Sequence, residues 1–392
     1  MPPDQPRPDE WREQTAAETP RAVRVLFGAM LCAVACACGG GGGSSGSSMP
    51  PPPPVSSASL LYVTNESAGT IDGFTIDTST GIPTPISGSP MVDGPMPAAL
   101  AIDPQKRYLY VASPAGEVRG YQLDSSTGAL TAMSASPFPT NAQSVAITVD
   151  PSGQFVLTAN GTSNSVSVFQ MGSSGALTEV SGSPFAAGAD PSAIVVADSN
   201  FVYVANASGG TVSAYTMDMT SGALTPVAGS PFAASADPVA LVVDPSGTHL
   251  YSADSAPSGV SGFTIDASSG ALTAIAGSPF PAPNGALSVV MDGEGALLHV
   301  ANGTNVDCFT VDASTGALTS IGTSYTNGRA TALAVDAPAN FLYALDNVDN
   351  QIEVFSIQEP NYYLALITGN PFPLFQGASG QALGPSSIAI AP

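Results

Sequence analysis

The sequence predicts an all-β fold, a seven-bladed β-propeller of four-stranded antiparallel blades that is closed by pairing of the C-terminal strand with the first blade. Three observations predict it. Seven copies of a strand-like word similar to LYVTN occur, at intervals of 44 to 48 residues. Each repeat also contains three further short runs that are typical of strands. Only 10% of the residues are charged, whereas Gly (41) and Pro (36) are abundant, which favours short strands joined by many turns.

The repeats are regular enough to assign each run to a position in a blade. The LYVTN-like words end at Asn65, Ser113, Asn160, Asn206, Asp254, Asn302 and Asp346. An apolar run such as Ser144–Gly153 precedes a word, and runs such as Thr211–Asp218 and Gly222–Phe232 follow it. The first two runs are nearly continuous in apolar residues, and the later runs are more polar. This decrease predicts blades that extend from a crowded centre to a solvated rim.

Turn residues separate the runs at fixed places. Asp150 and Asp244 each precede Pro-Ser-Gly, which is typical of a type I turn. In Ile265–Leu272 and Val311–Leu318, Asp and Ser are placed to cap a turn, and Gly follows where a left-handed backbone is needed. The sequence therefore predicts tight connections between consecutive strands of a blade.

The first repeat lacks a central strand of its own. Leu60–Asn65 is the only LYVTN-like word without a preceding apolar run, and Pro385–Pro392 reads like the missing run. We expect Pro385–Pro392 to pair beside Leu61–Thr64, because two unpaired sheet edges would otherwise be open to aggregation.

The N-terminal residues are expected to direct export. Residues 21–38 combine two arginines, an apolar stretch from Val25 to Ala37, and small residues with cysteines, as in a signal peptide. The segment Ala-Val-Ala-Cys resembles a bacterial lipoprotein signal, so Cys36 is the expected site of lipid attachment and Cys38 the alternative. A simple secretory signal with incidental cysteines is the competing interpretation.

The chain is accordingly divided into three segments. Residues 1–38 are expected to form a lipoprotein-type signal peptide, residues 39–59 a linker rich in Gly, Ser and Pro, and residues 60–392 the propeller. We expect an exported protein that is lipid-anchored in a bacterial cell envelope, in the periplasm or on the outer surface.

The charge balance excludes several classes of partner. The formal net charge is -22, with 8 Lys and Arg against 30 Asp and Glu, and four of the 8 cations lie in the first 24 residues. A surface this acidic repels phosphate backbones, so no nucleic acid partner is expected. It also argues against a site for a phosphorylated sugar, which normally needs several clustered cations. No cofactor is expected.

The repeated words LYVTN, GFTID, GALT and GSPF resemble those of the seven-bladed propellers named for their YVTN repeat. More loosely, the chain resembles the lactonase-type, 6-phosphogluconolactonase-like propellers. The resemblance covers residues 60–392. The lactonase relatives imply hydrolysis of a sugar lactone, helped by histidine, acidic and arginine residues around a central funnel. This sequence departs from that pattern, because it has only His249 and His299 and no His-x-His pair.

Few other residues suggest chemistry. Both histidines lie in or beside a strand, so each is interpreted as a packed, hydrogen-bonded residue rather than a catalyst. Cys308 is expected to be a small buried residue rather than a nucleophile. The stretch Asp346–Asn350 is rich in oxygen ligands but lacks the spacing of a calcium loop, so no metal site is predicted.

A propeller usually binds its ligand where loops from all blades converge on one face. The charged residues that we place on that face are Glu66, Asp93, Glu117, Asp190, Asp237, Asp254, Arg329 and Asp346. Arg329 replaces the small or proline-rich start of other blades. A lone cation among carboxylates either orients an anionic substrate or compensates a neighbouring acid.

Two functions follow from the sequence. The first is a lipid-anchored binding or scaffold module that binds an unknown protein or carbohydrate ligand. It is expected to be a monomer. The alternative is a lactonase-like hydrolase that uses Arg329 and funnel carboxylates to activate water. The missing histidine pair and the scarcity of cations favour the first.

Overall fold

The computed structural model describes most of the expected propeller segment. The described residues are 59–140, 142–197, 200–257, 259–336, 340–358, 361–374 and 385–391. Every regular element within these ranges is a β-strand, and none is a helix that could span a membrane. The expected signal peptide, including Cys36 and Cys38, lies outside the described residues, as does nearly all of the expected linker.

The strands form seven blades, numbered so that blade 1 contains the first LYVTN-like word. The innermost strands of blades 1 to 6 are Pro385–Ala391, Ala99–Ile102, Ser144–Val149, Pro191–Val196, Pro238–Val243 and Ser288–Met291. The second strands of blades 1 to 7 are Ser59–Asn65, Tyr108–Ser113, Phe155–Asn160, Phe201–Asn206, His249–Asp254, Leu297–Ala301 and Phe341–Asp346. The third strands are Thr70–Ile76, Glu117–Leu123, Ser165–Met171, Thr211–Met217, Gly259–Ile265, Gly303–Val311 and Gln351–Gln358.

The outer part of each blade is short. The fourth strands of blades 1 to 5 and of blade 7 are Pro83–Pro85, Leu130–Ala132, Leu177–Glu179, Leu224–Pro226, Leu272–Ala274 and Tyr363–Leu366. Two-residue strands that also pair with the third strand follow them, at Met91–Val92, Phe138–Pro139, Phe185–Ala186, Phe232–Ala233, Phe280–Pro281 and Phe372–Pro373. The Gly-Ser-Pro-Phe words therefore split the outer edge into two pieces instead of extending one strand.

Blades 6 and 7 share one long strand. Leu318–Val335 begins as the fourth strand of blade 6, where Leu318 pairs with Val311, and ends as the innermost strand of blade 7, where Val335 pairs with Leu342. The sequence explains this difference, because blade 6 has no Gly-Ser-Pro-Phe word to interrupt the strand. The repeated fold is thus broken at one seam of the ring.

The ring closes as the sequence predicts. The C-terminal strand pairs antiparallel with the first LYVTN-like strand, with Leu60 opposite Ala391 and Tyr62 opposite Ala389. Neighbouring innermost strands lie side by side around the whole ring, including those of blades 7 and 1. The first blade is therefore built from both ends of the propeller segment, which leaves no open edge at its centre.

The second strands hold the core together between blades. They are buried along their whole length, and the hydrophobic clusters each combine residues of two adjacent blades. The tyrosine of the LYVTN-like word also donates a hydrogen bond to a glycine carbonyl of the next blade. These bonds are Tyr62 to Gly128 (2.6 Å), Tyr110 to Gly175 (2.7 Å), Tyr203 to Gly270 (3.1 Å), Tyr251 to Gly316 (2.7 Å) and Tyr343 to Gly81 (3.0 Å). The last of them links blade 7 to blade 1.

Aspartates fix the turns, as predicted. Oδ1 of Asp150 accepts hydrogen bonds from the backbone N–H groups of Gln154 (2.7 Å) and Phe155 (2.6 Å), which ties the innermost strand to the second. These turns lie at one end of the blades, together with those between third and fourth strands. We call this end the bottom face. The opposite end, where second strands finish and third strands begin, is the top face.

Candidate functional site

The polar residue that ends each LYVTN-like word forms a buried layer beneath the top face. Asn206, with no exposed surface, donates from Nδ2 to Oγ of Ser213 on the third strand (3.0 Å). Asn160 bonds to Ser167 in the same way (3.0 Å), seven residues along. Buried polar side chains are usually hydrogen-bonded, and these amides donate to serine hydroxyls of the same blade. The repeated residues of the top face therefore serve the fold.

Asp254 belongs to this layer and is fully buried. Its carboxylate accepts hydrogen bonds from Ser252 (2.8 Å) and Ser261 (2.6 Å). Burial nevertheless raises the pKa of Asp254 to about 6, because two hydroxyl donors only partly replace the lost hydration. The sequence placed Asp254 among the funnel residues, whereas the structure puts it below the surface.

Asp346 is also buried, and it holds two loops of blade 7. Its Oδ1 accepts hydrogen bonds from the backbone N–H groups of Arg329 (3.1 Å), Val348 (2.9 Å) and Asp349 (3.2 Å). Its Oδ2 accepts one from Nε2 of Gln351 (3.1 Å). These donors occupy the lone pairs of the carboxylate, so Asp346 acts on the backbone of the loops rather than on the surface.

The contact of Asp346 with Gly328 explains why that position carries no side chain. A Cβ on Gly328 would lie 1.7 Å from Oδ2 of Asp346, which no atom could occupy. The absence of a side chain lets the carboxylate sit directly under the chain that leads to Arg329.

Arg329 lies at the top face, between the turns of blades 6 and 7, and its side chain is exposed. Its guanidinium makes no ion pair within the described residues. A Cβ on Gly303, in the facing turn of blade 6, would be 3.9 Å from Nε of Arg329. Because Gly303 has no side chain, nothing from this position covers the guanidinium.

A second cation, Arg119, is buried in blade 2, and the sequence did not single it out. It donates to Asp93 (2.6 Å) and to Glu117, and it reaches the carbonyl of Pro95 (3.2 Å). Asp93 also accepts a hydrogen bond from the Tyr121 hydroxyl (2.5 Å). Burial raises the pKa of Asp93, against the opposing effects of these two partners.

The arrangement removes Asp93 and Glu117 from the set of free carboxylates. Arg119 occupies the third-strand position that is filled by Ser167 and Ser213 in blades 3 and 4. A cation where other repeats have serine was the signal that could have identified it. Its partners show that it anchors the loop between blades 1 and 2.

The remaining top-face carboxylates are more accessible. Glu66 is half-buried and lines an open depression of about 310 Å³, together with Val92, Gly94 and Met96. No ion pair or hydrogen bond to its carboxylate occurs in the described part of the chain. Asp190 is exposed and accepts a hydrogen bond from Ser208 (3.0 Å).

Other accessible features of this face are polar or apolar, and Val92 and Met96 expose apolar surface beside Glu66. Asp237 is half-buried and accepts a hydrogen bond from Ser255. A second depression, of about 440 Å³, lies over blades 2 and 3 and is lined by Gly116, Gln143 and Thr162, among others. The top face thus offers carboxylates and open depressions along several blades.

The histidines and the cysteine are parts of strands. His299 is fully buried, and burial lowers its pKa to about 4. Its Nδ1 lies 3.3 Å from Sγ of Cys308, and burial raises the pKa of that thiol to about 12. Both groups are uncharged at neutral pH, so the pair provides neither a thiolate nor a base at the surface. His249 lies 3.3 Å from Asp244, on the bottom side of blade 5.

Among the residues that the structure describes, no group of three or more His, Cys, Asp and Glu side chains is placed to hold a metal ion. The chemistry available on the top face is therefore that of one exposed guanidinium and several carboxylates. Such groups can orient a polar substrate and accept a proton from water.

A family model described as "Lactonase, 7-bladed beta-propeller" matches residues 58–185 and 178–291. The two matches together span more than half of the 392 residues. A comparison with curated proteins found no match.

Solved structures share the fold over nearly their whole length. A Bacteroides uniformis protein provisionally named a 6-phosphogluconolactonase is 18% identical, with a TM-score of 0.75, over 86% of this chain and 100% of that one. A Bacteroides fragilis protein of the same provisional name is 17% identical, with a TM-score of 0.76, over 87% and 100%. A periplasmic gluconolactonase of Pseudomonas aeruginosa is 17% identical, with a TM-score of 0.71, over 86% and 99%. At these identities the likeness concerns the fold.

Proposed function

Because this chain belongs to the family of seven-bladed lactonase β-propellers, we propose that it hydrolyses the ring ester of a sugar lactone at the top face. The names of the similar structures, two 6-phosphogluconolactonases and a gluconolactonase, support this choice of substrate. The repeated Tyr-Val-Thr-Asn words further support a place in the YVTN-repeat branch of these propellers. The proposal replaces the binding module that the scarcity of histidines and cations favoured.

The observation that carries the proposal is the exposed guanidinium of Arg329. It stands where the repeat is broken, it has no ion pair among the described residues, and its backbone is held by Asp346 (3.1 Å). A guanidinium carried by a backbone that is held in this way can donate two hydrogen bonds to a lactone and so orient the ring.

Hydrolysis also requires a base that takes a proton from the attacking water. The oxygen of that water adds to the ester carbonyl carbon, the ring C–O bond then breaks, and the ring oxygen leaves as a hydroxyl after gaining a proton. We assign the base to Glu66, because its carboxylate is accessible and has no partner among the described residues. General base catalysis of this kind is worth roughly 10²- to 10⁴-fold in rate.

The test is hydrolysis of glucono-1,5-lactone by the purified protein, followed as acid release with the spontaneous rate subtracted. We expect turnover by the wild type, and losses in Arg329→Ala and Glu66→Gln. The matched controls are Arg107→Gln and Glu294→Gln, which alter exposed charges on the bottom face. If the wild type hydrolyses no lactone, a binding module becomes the favoured function. Turnover that both top-face variants retain would refute the assigned residues but not the activity.

The location of the protein is a separate part of the proposal. The signal-like segment before residue 39 supports export and lipid attachment at Cys36, with Cys38 as the alternative site. Incorporation of a labelled fatty acid should be lost when both cysteines are replaced, and should survive the replacement of Cys32. Unlabelled wild-type protein in a cell-envelope fraction would instead indicate a simple secretory signal.

A further inference from the structure

The charges on the top face restrict which lactone could bind there. Four of the eight cations precede residue 25 and lie outside the described residues. Lys106 and Arg107 belong to a turn on the bottom face of blade 2, where Arg107 pairs with Asp103 (2.9 Å). Arg119 is buried against Asp93 and Glu117. Within the described ranges, Arg329 is thus the one exposed cation of the top face.

The acid that contacts the backbone of Arg329 is already engaged by other donors. The carboxylate of Asp346 accepts three backbone N–H groups at one oxygen and the Gln351 amide at the other. It therefore fixes the chain at Arg329 without forming an ion pair with the side chain. Gly303, on the facing turn, leaves open the space next to Nε. The planar donor fork of arginine matches one carboxylate in a bidentate geometry.

A phosphate fits this surface less well. A phosphate monoester carries close to two negative charges at pH 7 and is usually held by several cations. Here it would have one guanidinium, and it would face the exposed carboxylates of Asp190 and Asp349 and the half-buried Glu66 on the same face. A single carboxylate can pair with the guanidinium and carries only about half the negative charge of a phosphate monoester.

We propose that the seam between blades 6 and 7 binds one carboxylate group of the substrate through Arg329, and that the preferred substrate is a sugar lactone carrying a carboxylate instead of a phosphate. This inference rests on the proposed lactonase function and specifies its substrate class. Arg329 then orients the ring through this carboxylate and determines specificity, while Glu66 remains the base of the hydrolysis.

The experiment compares three lactones that differ only at C6, the exocyclic carbon next to the ring. Glucono-1,5-lactone carries a hydroxymethyl group there, glucaro-1,5-lactone a carboxylate and 6-phosphoglucono-1,5-lactone a phosphate. We expect kcat/KM to be highest for the carboxylate compound. Arg329→Gln should lower kcat/KM for that compound about tenfold more than for the neutral lactone, because only the charged compound loses a charge-assisted hydrogen bond. Arg107→Gln, which removes the same charge from the bottom face, should leave the preference intact.

Binding of ring sugars that contain no ester provides a measurement that does not depend on turnover. In calorimetry, glucuronate, with a carboxylate at C6, should bind the wild type more tightly than glucose, with a hydroxymethyl group there, and Arg329→Gln should remove the difference. If no lactone is hydrolysed but this difference is found, the lactonase function fails and the carboxylate site stands. The inference is overturned if glucose binds as tightly as glucuronate, if the phosphorylated lactone is the best substrate, or if the preference survives in Arg329→Gln.

Discussion

Replacing Asp254 by asparagine should stabilise the protein at neutral pH. In blades 3 and 4, Asn160 and Asn206 occupy the equivalent position, where each donates from Nδ2 to a serine hydroxyl at 3.0 Å. Ser261 is the corresponding serine of blade 5 and now donates to Asp254 (2.6 Å). Because a hydroxyl can donate or accept, Asp254→Asn can reproduce the arrangement of blade 4 without a buried charge.

The size of the effect follows from the pKa. Burial raises the pKa of Asp254 from 3.8 to about 6. A carboxyl whose pKa is higher in the folded state stabilises fully below the unfolded pKa and loses that contribution as the pH rises through the folded pKa. The cost at pH 7.5 is about 3 kcal/mol, from roughly two pKa units at 1.36 kcal/mol each, and it falls to about 1 kcal/mol at pH 4.5.

The assay is thermal unfolding of both proteins between pH 4.5 and 7.5. At roughly 2.1 cal/mol/K per residue, 3 kcal/mol corresponds to an increase of about 4 °C in Tm at pH 7.5, and the increase should shrink as the pH falls. The reciprocal control is Asn206→Asp, which introduces a buried carboxylate into blade 4 and should lower Tm most at high pH. A gain from Asp254→Asn that is the same at every pH, or a loss at pH 7.5, would refute the electrostatic explanation.

Three other changes test the fold. Arg119→Leu leaves the buried Asp93 unpaired and should destabilise the protein by about 3–5 kcal/mol in chemical denaturation; a loss below 1 kcal/mol would contradict the contribution of the pair. Tyr343→Phe removes the hydrogen bond to Gly81 between blades 7 and 1, and should cost about 1 kcal/mol in the same measurement. Tyr110→Phe, which removes the equivalent bond to Gly175, is the comparison within the ring. Deletion of residues 385–391 should lower the Tm of the entire propeller in a single transition, because it removes the central strand of blade 1; unchanged melting would rule out the observed closure as a source of stability.

Much of the fold could be predicted from local pattern. The recurring words, the Asp-Pro turns and the missing central strand of the first repeat led to seven closed blades, and the pairing of Leu60 with Ala391 confirms the closure. One detail differed, since Leu318–Val335 joins blades 6 and 7 in a single strand. The sequence shows that blade 6 lacks a Gly-Ser-Pro-Phe word. It does not show that the segment without this interruption pairs with one strand of blade 6 and one strand of blade 7.

The candidate site was predictable only in part. The sequence placed Glu66, Glu117, Asp254, Arg329 and Asp346 on one face, because strand order decides which end of a blade a residue occupies. It did not distinguish the accessible Glu66 and Arg329 from the buried Asp254 and Asp346, since exposure depends on atoms contributed by other strands.

By itself, the sequence determined the strands, their turns and the number of blades, because these depend on the alternation of apolar runs with Gly, Pro and Asp within a single repeat. The tertiary structure decided which charges are free. Arg119 and Arg329 are both cations at the top of a blade. The first is enclosed by Asp93 and Glu117, whereas the second is exposed and has no ion pair among the described residues. These contacts join elements that are distant in the chain. Packing, and not the neighbouring residues in the sequence, therefore decides which partner each cation has and whether it is exposed to solvent.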